Sequence, residues 1–136
     1  MAHLYRVVPA VHWHEALQTG AVPRCPADRR LDRVHLNKLE DVELVANLWF
    51  TGEEEPVVLE VDVESFGECV RWEARSDPGG VWPNLYAPAI PTKNVVRVLT
   101  LEQQPDQNGA VSFRLGPTQT AAENSHSADV TVRGAP

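Results

Sequence analysis

Apolar and polar residues alternate in several short stretches of the chain, and this alternation predicts strands. The clearest stretch is residues 57–63 (VVLEVDV), where Val or Leu occupies every second position and Glu60 and Asp62 lie between them. In a strand, those apolar side chains share one face and the two acids point to the other. Stretches of similar character predict further strands over residues 4–8, 33–36, 69–73, 95–101 and 110–115.

A spacing of three to four residues between apolar positions predicts two helices near the N-terminus. The first covers residues 11–19, where Trp13, Ala16 and Leu17 have the spacing i, i+3, i+4. Side chains at that spacing lie on one face of a helix. Gly20 follows directly and is a typical helix stop,.

The second predicted helix begins at Asn37, because Asn37 and Glu40 have the spacing of an N-cap residue and its N3 partner in a capping box,. It ends before Gly52 and the acidic run that follows, which we interpret as a solvated loop. One stripe of this helix is apolar and is expected to face the core: Val42, Val45, Ala46 and Trp49. From the stripe and the strand alternation, we predict that Trp49 and Leu59 are core residues.

Three stretches are predicted to be irregular. Residues 21–32 combine two prolines with several charges, and residues 82–91 (WPNLYAPAIP) contain three prolines, so both are predicted loops, the second with aromatic anchors,. Residues 116–136 are small and polar, with almost no large apolar side chain, so they cannot bury enough surface to offset the entropy of ordering,. We therefore predict one domain over residues 1–115 and a disordered tail over residues 116–136.

The order of the elements is strand, helix, strand, helix and then several strands, which predicts an α+β domain. A chain of 136 residues has the usual length of one domain,. It contains neither the glycine pattern of a dinucleotide-binding fold nor a Gly-Lys-Ser/Thr phosphate loop,. No run of 18 apolar residues predicts a membrane span, and residues 1–10 lack the character of a signal peptide,. We expect a soluble, cytoplasmic protein.

Charge is unevenly distributed along the chain. The net charge of −7 arises in residues 39–77, which carry twelve acids and two arginines, whereas residues 1–38 carry six Lys or Arg and three acids. An acidic total argues against general binding of nucleic acid. The basic segment has two interpretations, a site for a small anionic molecule or a solvated loop; it comprises Arg24, Arg29, Arg30 and Arg33.

No metal site is predicted. Cys25 and Cys69 are the two cysteines, 44 residues apart, and neither belongs to a Cys-x-x-Cys pair, so both are expected to be reduced apolar side chains,. His12 and His14 are two residues apart on a predicted helix and do not share a face,.

Six short segments, in this order, resemble the bacterial-type domain of unknown function numbered 952. They are Leu4-Tyr5-Arg6, Arg33-Val34-His35-Leu36, Val45-Ala46-Asn47 with Trp49-Phe50, Val58-Leu59-Glu60-Val61-Asp62, Val70-Arg71-Trp72-Glu73, and Trp82-Pro83-Asn84-Leu85-Tyr86. The resemblance spans about residues 4–101. It implies a small ADP-ribosyltransferase-like fold with curved antiparallel or mixed sheets.

The resemblance also implies a ligand, NAD⁺ or a related ADP-ribose- or phosphate-bearing molecule, and transfer of an ADP-ribosyl or phosphoryl group. His35 and Glu73 stand at the positions that would be catalytic, with His35 at the ribose and Glu73 stabilising the ribosyl cation. Arg6, Asn84 and Tyr86 stand where the ligand would be bound. Arg6 and Asn84 occupy positions where the family often has histidine.

Three hypotheses about function follow. The first is an enzyme acting on such a ligand, and the second is a binding module that kept the cleft and lost turnover. The third is an interaction protein that uses the acidic middle segment.

Each proposed site residue also has a structural interpretation: Arg6 as a surface residue, His35 as a hydrogen-bonded structural histidine, Glu73 as an ion-pair partner of Arg71, and Tyr86 as a core or loop anchor. Convergence of Arg6, His35 and Glu73 in one cavity would favour the first two hypotheses.

Overall fold

The computed structural model describes residues 2–76 and 78–116, which form an α+β domain. Its strands are β1 (His3–Val8), β2 (Ala21–Val22), β3 (Val34–His35), β4 (Val57–Asp62), β5 (Val70–Ser76), β6 (Gly79–Leu85), β7 (Ile90–Pro91), β8 (Val95–Pro105) and β9 (Val111–Leu115). Its helices are α1 (Ala10–Thr19), α2 (Pro26–Leu31) and α3 (Val42–Trp49). Within these residues no helix is long and apolar enough to cross a membrane.

The strands form three antiparallel sheets. The largest has the order β1-β4-β8-β9, the second pairs β2 with β7, and the third has the order β3-β6-β5. Strand pairs such as β3 with β6 are far apart in sequence, so the third sheet joins the N-terminal half of the domain to its C-terminal half.

Strand β4 lies between β1 and β8 and is covered on both faces. Leu59 and Val61 belong to one hydrophobic core and Val58 to the other. Glu60 points to the second face and is buried there, where it accepts hydrogen bonds from His3 Nδ1 at 2.7 Å and Arg97 Nε at 2.8 Å. The predicted burial of Leu59 is confirmed.

Two cores therefore lie on opposite faces of the large sheet. The first is closed by α1 and by the two smaller sheets; it contains Leu4, Val8, Ala16, Val22, Val34, Leu36, Leu59, Val61, Val63, Leu85 and Ile90. The second is closed by α3 and contains Val7, Val42, Ala46, Val58 and Phe113. Apolar burial on this scale is the main stabilising contribution of such a domain.

The second predicted helix is wrong at its N-terminal end. Asn37 does not cap it: its backbone pairs with Tyr5 in an isolated β-bridge, and α3 begins five residues later, at Val42. Val42 and Ala46 are buried as predicted, but Trp49 is 56% exposed and the prediction that it is a core residue is wrong. Trp49 is the last residue of α3.

Both predicted loops contain regular structure. Residues 21–32 hold β2 and α2. Pro26 is compatible with α2 because it occupies the first turn, where a missing N–H costs nothing,. Residues 82–91 hold the end of β6 and all of β7. Pro83 lies inside β6 and keeps the ladder through its carbonyl, which accepts from Leu36 N at 3.0 Å. Residues 117–136 of the predicted tail lie outside the described residues, so the domain boundary stays a prediction.

Candidate functional site

Four of the five predicted site residues, all except Arg6, lie on or beside one face of the β3-β6-β5 sheet. β6 is the middle strand and pairs Asn84 with His35 on β3 and with Arg71 on β5. Side chains two residues apart along a strand share a face. Arg33, Glu73 and Tyr86 lie two residues from His35, Arg71 and Asn84, so they lie on or beside the same face. We call the set the polar sheet face; it comprises Arg33, His35, Arg71, Glu73, Asn84 and Tyr86.

Glu73 is the centre of the polar sheet face. Its Oε1 accepts a hydrogen bond from Asn84 Nδ2 at 2.7 Å, and Tyr86 OH lies 2.8 Å from both carboxylate oxygens. The hydrogen bonds from Asn84 and then Tyr86 lower the pKa of Glu73, with the charges of Arg33 and Arg71 adding to them against the opposing effect of burial,. Glu73 is therefore an ionised carboxylate with a fixed orientation, and it is partly exposed to solvent.

Tyr86 connects this carboxylate to two arginines. Its hydroxyl donates to Glu73 and accepts from Arg33 Nη1 at 3.1 Å. The hydrogen bond to Glu73 is the main reason that the pKa of Tyr86 is raised, so the phenol keeps its proton at neutral pH. The guanidinium carbon of Arg71 lies 4.7 Å from the centre of the ring, in the geometry of a cation–π contact,.

Asn84 is 3% exposed, yet one of its polar atoms has no hydrogen bond. Nδ2 donates to Glu73, whereas Oδ1 has no partner among the residues that the structure describes. A buried acceptor without a partner costs about 1–3 kcal/mol. A donor on a ligand would remove that cost, so Asn84 Oδ1 is a candidate contact for a hydroxyl or amide group.

Arg6 and His35 meet at a residue that the sequence did not point to, Asp28. Asp28 is fully buried and accepts hydrogen bonds from Arg6, from Cys25 N at 3.1 Å and from His35 N at 3.1 Å. Burial by itself would raise the pKa of Asp28, but the hydrogen bond from the His35 ring and the charge of Arg6 outweigh it and hold the pKa far below its ordinary range,. Asp28 is ionised in the folded protein.

Asp28 also determines which nitrogen of His35 is protonated. His35 Nδ1 lies 2.6 Å from Asp28 Oδ1, and an ionised carboxylate can only accept, so Nδ1 carries the hydrogen,. In the neutral ring, Nε2 then has the free lone pair. The ring is partly exposed, so Nε2 is the nitrogen that can accept from a ligand or take up its proton,.

The structure places the predicted site residues in two adjacent groups, and none of Arg6, His35 and Glu73 lines the cavity beside them. Glu73, Asn84 and Tyr86 are in direct contact, and His35 is the register partner of Asn84. Arg6 differs from the expectation. It is buried, pairs with Asp28 and donates to His35 O at 2.7 Å, so its charge is compensated inside the protein. Arg6 therefore helps to position His35, through the backbone carbonyl of His35 and through Asp28.

Sequence reasoning missed Asp28 and the role of Arg33. The Arg71–Glu73 pairing considered from sequence is replaced by contacts across the sheet, with Glu73 held by Asn84 and Tyr86. Asp28 had a local signal: Pro26 at the first helical position and an acid at N3 are typical of a helix start,. No local signal places Arg33 beside Tyr86, because that contact depends on the register of β3 with β6.

A cavity of about 420 Å³ adjoins the polar sheet face, and Tyr86 belongs to both. The other residues that line the cavity are Arg24, Asp32, Ala87 and Pro88. Within the described residues no three His, Cys, Asp or Glu side chains are grouped as a metal site would require, and Cys25 and Cys69 are free. The site therefore offers hydrogen-bonding and charged groups to an organic or anionic ligand.

The chain is similar to solved structures of protein CC0527 from Caulobacter crescentus. An X-ray structure of CC0527 shares 27% identity with a TM-score of 0.68 and covers 82% of this chain and 94% of CC0527. A solution NMR structure of CC0527 shares 28% identity with a TM-score of 0.64 and covers 81% and 91%. No curated protein matches the chain. A family model described as "Protein of unknown function (DUF952)" matches residues 7–98, more than half of the chain, and the protein therefore belongs to the DUF952 family.

Proposed function

We propose that the polar sheet face binds NAD⁺ or a related ADP-ribose-bearing ligand and that the protein transfers the ADP-ribosyl group. The observation that carries the proposal is the ionised carboxylate of Glu73, oriented by Asn84 and Tyr86, on the sheet face that also holds His35. In the same proposal the fold is of the ADP-ribosyltransferase type, as the sequence resemblance implies. The expected cytoplasmic location stays a prediction.

The hydrogen-bonding groups at the site match those of a ribose. Glu73, Asn84 Oδ1 and His35 Nε2 are all acceptors, and ribose hydroxyls are donors,. The nicotinamide carboxamide is a further donor that Asn84 Oδ1 could satisfy. A ligand that supplies donors here relieves the unpaired acceptor on Asn84, which gives binding a specific energetic gain.

The proposed chemistry is displacement of nicotinamide from C1′ of the ribose. The C–N bond breaks, its electron pair leaves with nicotinamide, and positive charge develops on the ribosyl ring. A fixed carboxylate such as Glu73 stabilises that charge more strongly in the transition state than in the ground state. An acceptor nucleophile then bonds to C1′, and His35 Nε2 takes up its proton.

A second candidate function is binding without turnover. It is favoured by the ion pair of Arg6 with Asp28. This pair neutralises the positive charge that the resemblance assigns to binding of the ligand. Asn84 likewise stands where the family often has histidine, and an amide cannot transfer a proton as an imidazole can. In this case the same ligands bind and nicotinamide is not released.

Calorimetric titration with NAD⁺, ADP-ribose and a 2′-phosphorylated nucleotide tests binding, and an assay for nicotinamide tests turnover. Glu73→Gln should leave binding nearly unchanged and reduce turnover about 100-fold or more, as loss of a group acting on transition-state charge does. Glu102→Gln removes the same charge from an exposed position on β8 and should change neither.

The outcomes separate the hypotheses. Binding of NAD⁺ with nicotinamide release supports the enzyme, and binding without release supports the binding module. If none of the three ligands binds at millimolar concentration to protein with a confirmed fold, both are wrong and the interaction hypothesis remains.

A further inference from the structure

The cavity beside the polar sheet face contains a fixed arginine, Arg24. Its Nη2 donates to Ala87 O at 2.7 Å, which anchors the guanidinium, and its Nη1 donates to Asp32 Oδ1 at 2.8 Å. The side chain is only 17% exposed, and Nε is buried with no hydrogen-bond partner within the described part of the chain. Arg24 is therefore a pre-oriented cation whose hydrogen-bonding capacity is not fully used.

The partner of Arg24 is easily displaced. The side chain of Asp32 is 92% exposed. An ion pair with so exposed a partner contributes about 0–1 kcal/mol to stability. Asp32 also ends α2, in the left-handed backbone region at φ 56°. Its exposed carboxylate lines the cavity and is not part of the core. An anion that enters the cavity can replace this carboxylate on Arg24 at little cost.

Two more arginines contact Tyr86, a lining residue of the cavity, although neither lines the cavity itself. Arg33 donates to the hydroxyl of Tyr86, and Arg71 lies over its ring. Three guanidinium groups thus lie in or beside the cavity, two of them on Tyr86, whereas the carboxylates in contact with them are Glu73 and the exposed Asp32. In a chain of net charge −7, such a local excess of positive charge is a candidate anion site,. Arginine is well suited to phosphate because its planar fork donates two parallel hydrogen bonds.

We propose that this cavity is a phosphate subsite, in which Arg24 binds a phosphate or pyrophosphate group and Asp32 occupies the position of that group until the ligand displaces it. The inference rests on the proposed function in one respect, that the phosphate belongs to the ligand whose ribose meets Glu73. A volume of about 420 Å³ accommodates the phosphate-bearing part of a nucleotide,. The rest of the ligand then extends past Tyr86 to the polar sheet face.

Titration with inorganic pyrophosphate and with ADP-ribose at low ionic strength tests the subsite, read by calorimetry and by the NMR signals of the arginine Nε–H groups. Arg24→Gln should weaken both ligands about tenfold or more, since a hydrogen bond to a charged group is lost. Arg29→Gln is the matched control: it removes the same charge from an exposed position of α2 that does not line the cavity.

Asp32→Asn supplies a second and opposite readout. It removes the competing carboxylate, and Asn tolerates the left-handed backbone of this position. Binding of pyrophosphate should tighten, by up to about fivefold if the exposed pair is worth as much as 1 kcal/mol. A residue with a purely structural role would not produce tighter binding, so this variant remains informative even if Arg24→Gln folds poorly.

The results distinguish this inference from the proposed function. Arg24-dependent binding of pyrophosphate, without any preference for ADP-ribose and without release of nicotinamide from NAD⁺, would support the subsite and contradict the proposed function. Release of nicotinamide that is lost in Glu73→Gln, with binding of ADP-ribose that is equally strong in Arg24→Gln and Arg29→Gln, would do the reverse. Absence of pyrophosphate binding, or weaker binding in Asp32→Asn, would overturn the subsite.

Discussion

Replacing Asp28 by Asn should destabilise the protein strongly, because Asp28 is the buried carboxylate on which Arg6 and His35 both depend. The substitution keeps the shape of the side chain and removes its charge. Arg6 would then be a buried cation without a counter-charge, and one oxygen that accepts from the protein would become a donor. The backbone N–H groups of Cys25 and His35 would compete for the remaining oxygen.

The expected loss is about 3–5 kcal/mol at pH 7, the usual cost of removing one partner of a buried ion pair. This is a large fraction of the 5–15 kcal/mol by which a typical domain is stable. The control is Asp32→Asn, four residues away at the C-terminal end of the same helix. Its ion pair with Arg24 involves a 92% exposed carboxylate, so the expected loss is at most about 1 kcal/mol,.

Urea denaturation of the wild type and the two variants measures these losses, and its pH dependence tests the cause. The folded pKa of Asp28 lies below its unfolded value, so its stabilising contribution is complete above about pH 4, the ordinary range of an aspartate, and is lost as pH falls through the folded pKa,. The difference between wild type and Asp28→Asn should therefore be constant from pH 7 to about pH 5 and shrink in acid. A loss below about 1 kcal/mol, or one no larger than that of Asp32→Asn, would refute the reasoning.

Three further predictions concern the core, the site and the tail. Leu59→Ala should lower the free energy of unfolding by about 2–5 kcal/mol, as for a fully buried leucine,, whereas Trp49→Ala should cost less because that side chain is 56% exposed,; equal losses in urea denaturation would contradict the assignment of the core. Tyr86→Phe should raise the pKa of Glu73 towards its ordinary value, since the hydroxyl that donates to the carboxylate is lost; an NMR titration of the Glu73 carboxyl that is the same in wild type and variant would show that the hydrogen bond is absent in solution. Removal of residues 117–136 should leave the melting temperature nearly unchanged, and a large decrease would mean that these residues pack on the domain.

Local pattern determined much of the domain. The alternation over residues 57–63 predicted the strand that became β4, and the i, i+3, i+4 spacing around Trp13 predicted a helix at nearly the bounds of α1. The α+β class followed from the order of the elements, and six short segments were enough to identify the family. These features depend on neighbours within a few residues, and such preferences are encoded directly in the sequence.

Tertiary context overruled local pattern elsewhere. Trp49 has the spacing of a core residue, yet it is 56% exposed at the last position of α3. Asn37 has the spacing of a helix cap, yet its backbone pairs with Tyr5 instead. Pro83 argued against a strand, yet its carbonyl and its burial keep it in β6. For Asn37 and Pro83, a long-range backbone pairing outweighed a local preference of about 1 kcal/mol.

The candidate site shows the same division. The sequence by itself identified His35, Glu73, Asn84 and Tyr86, because their segments resemble a family. Only the tertiary structure decided that they adjoin one another, since the register of β6 with β3 and β5 joins residues more than ten positions apart. It also decided that Arg6 supports His35 through a carboxylate on α2, 22 residues away in the chain. A buried ion pair of this kind has no sequence periodicity that would reveal it. Arg6 and Asp28 are both buried, and burying either charge without the other would be costly, so the two side chains pair,.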